Sequence, residues 1–314
     1  MSSERADRRR ALTRDECERL RSALDPTARS LTAVPLLGGV DRSTYALTLD
    51  RDGGPKDLVL RTAGTGKDAG ARIRHEFDIL GAVSAVTDLA PAPVLVDARG
   101  DLVGEPSLVM TRLAGAPQPP RDPGAWIAQL VDTLVTIHAI PTDRLPPSFD
   151  RRLGVVDRTS RMCVDLGTED PLSEAIVGAV TRVAPSVTPA GPTLIHGDYW
   201  YGNTLWADAR IVGVVDWFHA AISDPIGELA YARIDAQLVL GPAAADEFAE
   251  RYIRARGPAP DLAFWDLLMA LPGVKFLHEW VAGYHEVGLG AMTDAEARAR
   301  LEEFVGRALS RLDR

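Results

Sequence analysis

Residues 193–216, with the sequence TLIHGDYWYGNTLWADARIVGVVD, determine how the rest of this 314-residue chain is interpreted. The segment contains two short apolar runs that are typical of β-strands, with a polar loop between them. The loop has the pattern HGDxxxxN, which contains Asp198 and Asn203, and the second run ends in Asp216. A tight turn at 208–210 predicts a hairpin that returns Asp216 toward Asn203.

Two carboxylates and one amide in this order are the side chains that phosphoryl transfer requires. In that chemistry one aspartate orients and deprotonates the acceptor hydroxyl, while an asparagine and a second aspartate hold Mg²⁺ on the nucleotide phosphates. Carboxylate and amide oxygens are hard ligands, which Mg²⁺ prefers. Aspartate, asparagine and glycine between two strands are also common turn residues. The full pattern, followed by a strand and a further aspartate, favours a phosphate site over a simple turn.

The segment resembles the catalytic core of the aminoglycoside phosphotransferase family, which comprises small-molecule kinases with a protein-kinase-like fold. The resemblance implies that Asp198 is the catalytic residue and that Asn203 and Asp216 are Mg²⁺ ligands. It also implies a two-lobed α+β fold, with a small N-terminal lobe built on an antiparallel sheet and a larger, mainly helical C-terminal lobe. The expected domains are 1–113, the nucleotide-binding lobe with the hinge, and 114–314, the catalytic and acceptor-binding lobe.

Short β-type runs between residues 31 and 60 agree with a small lobe of this kind. In the family, a loop comparable to the one between the first two runs covers the nucleotide phosphates. This comparison assigns Gly39, Ser43 and Thr44 to nucleotide binding, although a hairpin turn uses the same residue types. Along the next strand, DLVLR, alternation places Val59 and Arg61 on one face. The resemblance makes that face part of the nucleotide site.

The remaining nucleotide-binding candidates follow from the same resemblance. Arg61 stands where kinases generally have lysine, and its planar guanidinium can bind phosphate oxygens and a carboxylate together. Glu76 resembles the family's pairing carboxylate, although a glutamate on an amphipathic helix can also simply be exposed. The run SLVMTRL resembles the strand that enters the hinge. Main-chain groups near Thr111 and Leu113 are then expected to hold the adenine, with Met110 beside the ring.

Three further features lie in the second part of the chain. The run WIAQLVDTLVTIHAI has His138 near its end, where LVTIH resembles an LxxLH signature of the family. The run is interpreted as a helix whose histidine forms a hydrogen bond near the catalytic loop. A second feature is the start of a helix that contains Asp224, Pro225 and Glu228. The carboxylates lie at its N-terminal end, where negative charge is favourable. Asp224 is expected to organise the loop. The family has aspartate more often than glutamate at position 228.

The last ninety residues are predicted to be helical and rich in aromatic side chains. In the family this region shapes the acceptor pocket, although an aromatic stripe at helical spacing is more often part of the core. The candidates for lining the pocket are His278, Glu279, Trp280, Tyr284 and His285. Between residues 263 and 290 the acidic side chains are Asp266, Glu279 and Glu286. Few carboxylates and many aromatic rings indicate an acceptor with little positive charge.

Composition limits the partners and the compartment. The net charge of −9 and the pI near 5.2 argue against binding to nucleic acid or to an anionic membrane surface. With 46% hydrophobic residues, the chain is predicted to fold. Cys17 and Cys163 are far apart and lack a metal-type spacing, so they are interpreted as free thiols in a reducing compartment. No run approaches a membrane span, and we expect a cytoplasmic monomer or homodimer.

The sequence therefore predicts a phosphotransferase that uses ATP and Mg²⁺ and acts on the hydroxyl group of a small molecule, such as an antibiotic or natural-product-like alcohol. Main-chain contacts to the base do not depend on particular side chains, so the sequence does not distinguish ATP from GTP. A kinase of a primary metabolite, such as an amino-alcohol or a sugar, is an alternative on the same fold. A nucleotide-binding pseudokinase is another, against which the presence of Asp198, Asn203 and Asp216 argues. A hydrolase would need a second base or an oxyanion-type glycine cluster.

Overall fold

Alternating apolar and polar residues near the N-terminus build an antiparallel sheet. The computed structural model describes residues 10–36, 43–64, 66–117, 122–289 and 292–312. The chain divides into two units, which are described separately below. The first unit contains residues up to Gly115 together with Val212–Phe218, and the second contains Ala116–Ile211 and the residues from His219 onward.

In the described part of the first unit, five strands form one sheet in the order β1-β2-β3-β5-β4, and every neighbouring pair is antiparallel. In β3, Leu58 and Leu60 are buried in a core that also contains Leu20 of the first helix. Val59 and Arg61 point to the opposite face, as the predicted alternation requires. The elements of this unit are α1 (Arg14–Leu24), β1 (Ser30–Pro35), β2 (Thr44–Asp50), β3 (Lys56–Thr62), α2 (Ala69–Ser84), β4 (Pro93–Asp97) and β5 (Ser107–Thr111).

The second unit is mainly helical. One large core of this unit contains residues from five helices, here α5, α6, α7, α8 and α9. Helix α6 is central, since 13 of its 16 residues are buried. The elements are α3 (Pro123–His138), α4 (Val155–Leu166), α5 (Pro171–Val183), β6 (Thr193–Ile195), β7 (Thr204–Ala207), β8 (Arg210–Val214), β9 (Ala221–Ser223), α6 (Pro225–Leu240), α7 (Pro242–Arg256), α8 (Leu262–Glu286) and α9 (Asp294–Leu312). Strand β8 runs across the boundary between the units.

Two short antiparallel ribbons surround the polar loop of the opening segment. Strand β6 pairs with β9, and Leu194 lies opposite Ile222. Strands β7 and β8 form a second ribbon, and Asp208 and Ala209 connect them with φ angles of 50° and 61°. Positive φ at both positions is the conformation that a two-residue hairpin turn needs. The predicted hairpin is therefore confirmed.

An antiparallel sheet in the first unit and helices in the second confirm the predicted α+β class. Across the residues that the structure describes, none of the helices is both long enough and apolar enough to cross a membrane.

Candidate active site

The loop of residues 196–203, here called the HGD loop, leaves β6 through a turn that only glycine fits. Gly197 has a φ of 86°, in the left-handed region that side chains disfavour. A Cβ atom at this position would lie 2.4 Å from the backbone oxygen of His219. The glycine of the HGD pattern therefore allows close backbone contact, and it brings the chain directly to Asp198.

Both carboxylate oxygens of Asp198 accept hydrogen bonds within the second unit. The Tyr231 hydroxyl donates to Oδ1 at 3.0 Å, and Nδ2 of Asn203 donates to Oδ2 at 3.0 Å. The same Asn203 nitrogen also donates to the backbone oxygen of Asp198 at 2.8 Å. Because the amide nitrogen is used in this way, the amide oxygen of Asn203 remains available as a ligand. These contacts fix the orientation of the carboxylate.

The carboxylate of Glu228 accepts hydrogen bonds from the backbone at the start of the HGD loop. One carboxylate oxygen accepts the N–H of His196 at 3.0 Å, and the other accepts the N–H of Gly197 at 2.5 Å. Nε2 of His138 lies 2.8 Å from Glu228, and its Nδ1 lies 2.6 Å from the Tyr252 hydroxyl. Burial alone would raise the pKa of Glu228, but the hydrogen bond and charge of His138 lower it overall. The expectation that His138 forms a hydrogen bond near the loop is confirmed.

Glu228, Tyr231 and Asp235 form a polar face on α6, since they stand at positions i, i+3 and i+7. The third of them, Asp235, accepts the backbone N–H of Tyr201 at 3.1 Å. Burial raises the pKa of Asp235 to about 6, against the lowering effect of hydrogen bonds from Tyr284 and from the Tyr201 backbone. Helix α6 therefore contacts the HGD loop at three successive points.

The sequence analysis did not identify Tyr231 and Asp235. The sequence did contain a signal, because both residues share a helical face with Glu228 on a helix of mostly apolar residues. Asp224 has the organising role that was expected. Its two carboxylate oxygens accept the N–H groups of Ile226 and Ala190, each at 2.9 Å.

The first unit brings several predicted nucleotide residues onto one face of its sheet. Thr44 lies opposite Arg61 on the neighbouring strand, and Val59 lies opposite Met110. Since directly opposed residues point to the same side of a sheet, these four side chains share a face. Ser43 immediately precedes β2. Position 39, the predicted phosphate-loop glycine, lies outside the described residues.

Arg61 is the centre of a charged cluster in the first unit. Its Nη1 atom donates to Glu76 at 2.7 Å and to Asp216 at 3.1 Å. Glu76 is 2% exposed, so it is a buried ion-pair partner and not a surface residue of α2. Burial would lower the pKa of Arg61, but the charges of Asp216 and Glu76 raise it overall. Asp216 has a φ of 66°, a strained conformation that is often found at functional sites.

The hinge candidates lie at the end of β5. Thr111 forms two hydrogen bonds with Ala92: its backbone N–H donates to the Ala92 oxygen at 2.9 Å, and its hydroxyl accepts the Ala92 N–H at 2.8 Å. The side chain of Leu113 lies against Gly213, where a Cβ atom would be 2.6 Å from the leucine Cδ1.

The two predicted metal ligands have suitable chemistry. Carboxylate and amide oxygens are the donors that Mg²⁺ prefers, so Asp216 and Asn203 are chemically suited to this ion.

Two aromatic side chains of α8 pack on residues of the candidate site. Trp280 packs edge-to-face on Tyr231, with ring centres 5.5 Å apart. Tyr284 packs in the same way on Trp200 of the HGD loop, at 5.7 Å. Two of the five acceptor candidates therefore approach the loop, and both are aromatic.

The other acceptor candidates have different neighbours. His278 lies 2.8 Å from Asp294, and His285 lies 2.8 Å from the backbone oxygen of Met292. Glu279 is exposed. Asp266, which the sequence analysis counted among the acidic residues of this region, is 1% exposed and forms an ion pair with Arg233. Its carboxylate is therefore part of the core.

Comparison with known proteins gives consistent results. The family model described as "Phosphotransferase enzyme family" matches residues 32–268. A curated relative, acyl-CoA dehydrogenase family member 11 of Rattus norvegicus, is 22% identical over 235 residues, which cover 65% of this chain and 30% of the relative. The chain thus spans about 30% of the length of that relative.

Solved structures of two kinds resemble this chain over nearly their whole length. One is a thermostable mutant of aminoglycoside phosphotransferase APH(4)-Ia in a ternary complex with ADP and hygromycin B, with a TM-score of 0.63, 16% identity, and coverage of 93% of this chain and 98% of that one. The other is the macrolide 2'-phosphotransferase MphH from Brachybacterium faecium, with a TM-score of 0.59, 18% identity, and coverage of 91% and 96%. At such identities the likeness establishes the kinase-like fold.

Proposed function

Since the chain belongs to the phosphotransferase enzyme family, we propose that it transfers the γ-phosphoryl group of ATP to a hydroxyl group of a small molecule. Asp198 is the residue on which this proposal most depends. Hydrogen bonds from Tyr231 and Asn203 orient both of its oxygens. A carboxylate oriented in this way can position a substrate hydroxyl and take its proton as the phosphoryl group is transferred.

The first unit supplies the nucleotide-binding groups in this proposal. Thr44, Val59, Arg61 and Met110 share one face of the sheet, and Glu76 fixes the guanidinium of Arg61. A guanidinium held by a buried carboxylate keeps further N–H donors for phosphate oxygens.

Mg²⁺, when bound, neutralises charge on the phosphate oxygens. Asn203 would hold it through the amide oxygen that its contacts to Asp198 leave available. Asp216 would hold it through a carboxylate that is 38% exposed. Both groups are hard oxygen donors, which is the kind that this ion requires.

The acceptor that we propose is an alcohol with a substantial apolar body and at most one or two positive charges. Two aromatic side chains lie at or beside a contact to Asp198: Tyr231, which donates to it, and Trp280, which packs on Tyr231. Each ammonium group taken from water must be paired with an anion. Asp266 is already paired with Arg233, which leaves few carboxylates on α8 for a polycation. Antibiotic and natural-product alcohols of this kind are our first candidates.

A product assay tests the function directly. Purified protein is incubated with Mg²⁺, with either ATP or GTP, and with a panel that contains a macrolide, an aminoglycoside, an amino-alcohol and a sugar. We expect one class of acceptor to gain the mass of one phosphoryl group, with stoichiometric release of nucleoside diphosphate. In the matched variant Asp198→Asn, we expect nucleotide binding to persist while turnover falls by roughly 10²–10⁴-fold, as for the loss of a general base.

Two outcomes would contradict the proposal. Nucleotide hydrolysis that does not depend on any acceptor would indicate a hydrolase. Nucleotide binding without turnover, with wild type and Asp198→Asn indistinguishable, would indicate a pseudokinase.

A further inference from the structure

A cavity of about 470 Å³ lies in the second unit, apart from the residues assigned above to phosphoryl transfer. Its volume is within the range of small-molecule pockets, which is about 300–1,000 Å³. The lining combines two arginines, two aspartates and one hydroxyl with an apolar wall. Its members include Arg158, Ser223, Trp265, Leu153, Val155 and Pro192.

Arg158 lines the cavity and contacts neutral side chains. Its guanidinium donates a hydrogen bond to the Ser223 hydroxyl and lies 5.6 Å from the centre of the Trp265 ring. Burial lowers the pKa of Arg158, and the nearby charge of Asp224 only partly opposes this effect. Within the described residues, Arg158 forms no ion pair. The remaining N–H groups of the guanidinium are therefore available to a ligand.

The other charged groups of the lining are already occupied. Arg152 donates from Nε to Asp150 at 2.7 Å and makes a second bond to the same carboxylate. Asp224 uses both oxygens to accept backbone N–H groups at 2.9 Å. Among the charged residues of the lining, Arg158 therefore has the weakest compensation for the loss of its hydration. A bound anion would supply that compensation.

A helix N-terminus adds a second group that favours an anion. Helix α4 has 12 residues and begins at Val155, and its N-cap residue Gly154 makes no side-chain capping hydrogen bond. Gly154 and Val155 both line the cavity, together with Arg158 one turn further along the helix. The acidic residue of the first turn, Asp157, is exposed and does not line the cavity. Unsatisfied N–H groups and the helix dipole at this end attract negative charge.

We propose that this cavity binds the carboxylate group of a small organic acid whose apolar body packs on Leu153, Val155 and Pro192. The planar fork of a guanidinium matches the two oxygens of a carboxylate. Asp150 and Asp224 also line the cavity, so a second negative charge on the ligand is disfavoured. A monoanion therefore fits better than a phosphate dianion. This site is independent of the phosphotransfer proposed above.

Saturation-transfer NMR with benzoate as the probe tests this site, with benzyl alcohol and phenyl phosphate as neutral and doubly charged counterparts. We expect wild type to bind benzoate more tightly than either counterpart. In Arg158→Met, which keeps most of the aliphatic stem, we expect affinity to fall by about tenfold or more, as for a lost charged hydrogen bond. The matched control Arg161→Met removes an exposed arginine of the same helix that does not line the cavity, and it should retain benzoate binding.

A second variant guards against misfolding of Arg158→Met. Leu153 is 44% exposed, so Leu153→Trp can fill the cavity without disturbing the core, and it should also weaken benzoate binding. Unchanged benzoate binding in both Arg158→Met and Leu153→Trp would overturn the proposal. Equal binding of benzyl alcohol would do the same, and tighter binding of phenyl phosphate would show that the ligand class is wrong.

Discussion

At the scale of single residues, Gly197 has the most restrictive surroundings in the HGD loop. Its φ of 86° is unfavourable for a side chain, and a Cβ atom there would be only 2.4 Å from the His219 backbone oxygen. We expect Gly197→Ala to lower the free energy of unfolding by about 1–3 kcal/mol, as for backbone strain, and to reduce turnover because Asp198 is displaced. Urea unfolding and the product assay measure the two effects.

Gly178 provides a matched control for this substitution. It lies in the interior of α5 with no heavy atom within 4 Å of a Cβ position. Alanine at such a site stabilises by about 0.4–1 kcal/mol, mainly through the unfolded state. If both variants changed stability in the same direction, the turn at Gly197 would not be the constraint that its geometry indicates.

The ion pair between Arg61 and Glu76 gives a second residue-scale prediction. The two side chains are 14% and 2% exposed, so removal of one partner leaves a buried charge. We expect Arg61→Met to destabilise by about 3–5 kcal/mol, and Glu76→Gln in the same background to recover part of that loss. The exposed pair Arg29–Asp50 has the same 2.7 Å separation with side chains 58% and 46% exposed. Arg29→Met should cost far less than Arg61→Met, because an exposed ion pair is solvated and contributes little.

Chemical denaturation of these single and double variants measures the coupling. A cost for Arg61→Met as small as that for Arg29→Met would show that the pair is solvated in solution. Failure of Glu76→Gln to recover stability would show that Asp216, the other partner of Arg61, carries the coupling instead.

At the scale of elements, the polar face of α6 predicts a pH-dependent stability. The pKa of Asp235 is raised from 3.8 to about 6, so the folded protein binds this proton more tightly than the unfolded chain does. The associated stability is fully present below about pH 4, and it is lost as pH rises through about 6. A shift of about two pH units corresponds to about 3 kcal/mol.

Comparison of wild type with Asp235→Asn isolates this contribution, because the amide cannot ionise and other titrating groups cancel. We expect the stability of the variant relative to wild type to increase by about 3 kcal/mol between pH 4 and pH 7. Urea unfolding at several pH values within that window measures the difference. Parallel pH profiles for the two proteins would refute the raised pKa.

Local patterns in the sequence predicted the elements better than the contacts between them. Alternation in β3 identified the faces of Leu60 and Arg61 correctly, and turn chemistry identified the hairpin between β7 and β8. The bond from Arg61 to Asp216 spans 155 positions, and no local pattern specifies such a partner. Tyr231 likewise has no motif of its own. Its contact to Asp198 depends on how α6 packs.

The aromatic residues of α8 show the same limit. Helical spacing makes Trp265 and Trp280 similar in sequence, yet Trp265 is 1% exposed in the core and Trp280 packs on Tyr231. Sequence periodicity indicates that one face of a helix is apolar. Tertiary packing determines which residues contact that face. The acceptor region was therefore the part of the site that the sequence resolved least.

At the scale of the whole molecule, the net charge of −9 attracts any cationic acceptor. Such steering raises the association rate of a polycation even where the pocket does not recognise it. The effect appears in kcat/KM and weakens as salt screens it, because the Debye length falls from about 10 Å at 0.1 M to about 3 Å at 1 M. Recognition within the pocket also contributes to kcat/KM, but it depends less on salt.

A competition experiment separates these contributions. A partly apolar alcohol with one amine and a kanamycin-like polycation are supplied together at matched concentration, at low and at high salt. We expect the partly apolar acceptor to be phosphorylated preferentially at both salt levels, because Trp280 and Tyr231 offer it apolar surface next to Asp198. We expect any advantage of the polycation to be confined to low salt. Preferential phosphorylation of the polycation at high salt as well would show that carboxylates, and not aromatic rings, define the acceptor site.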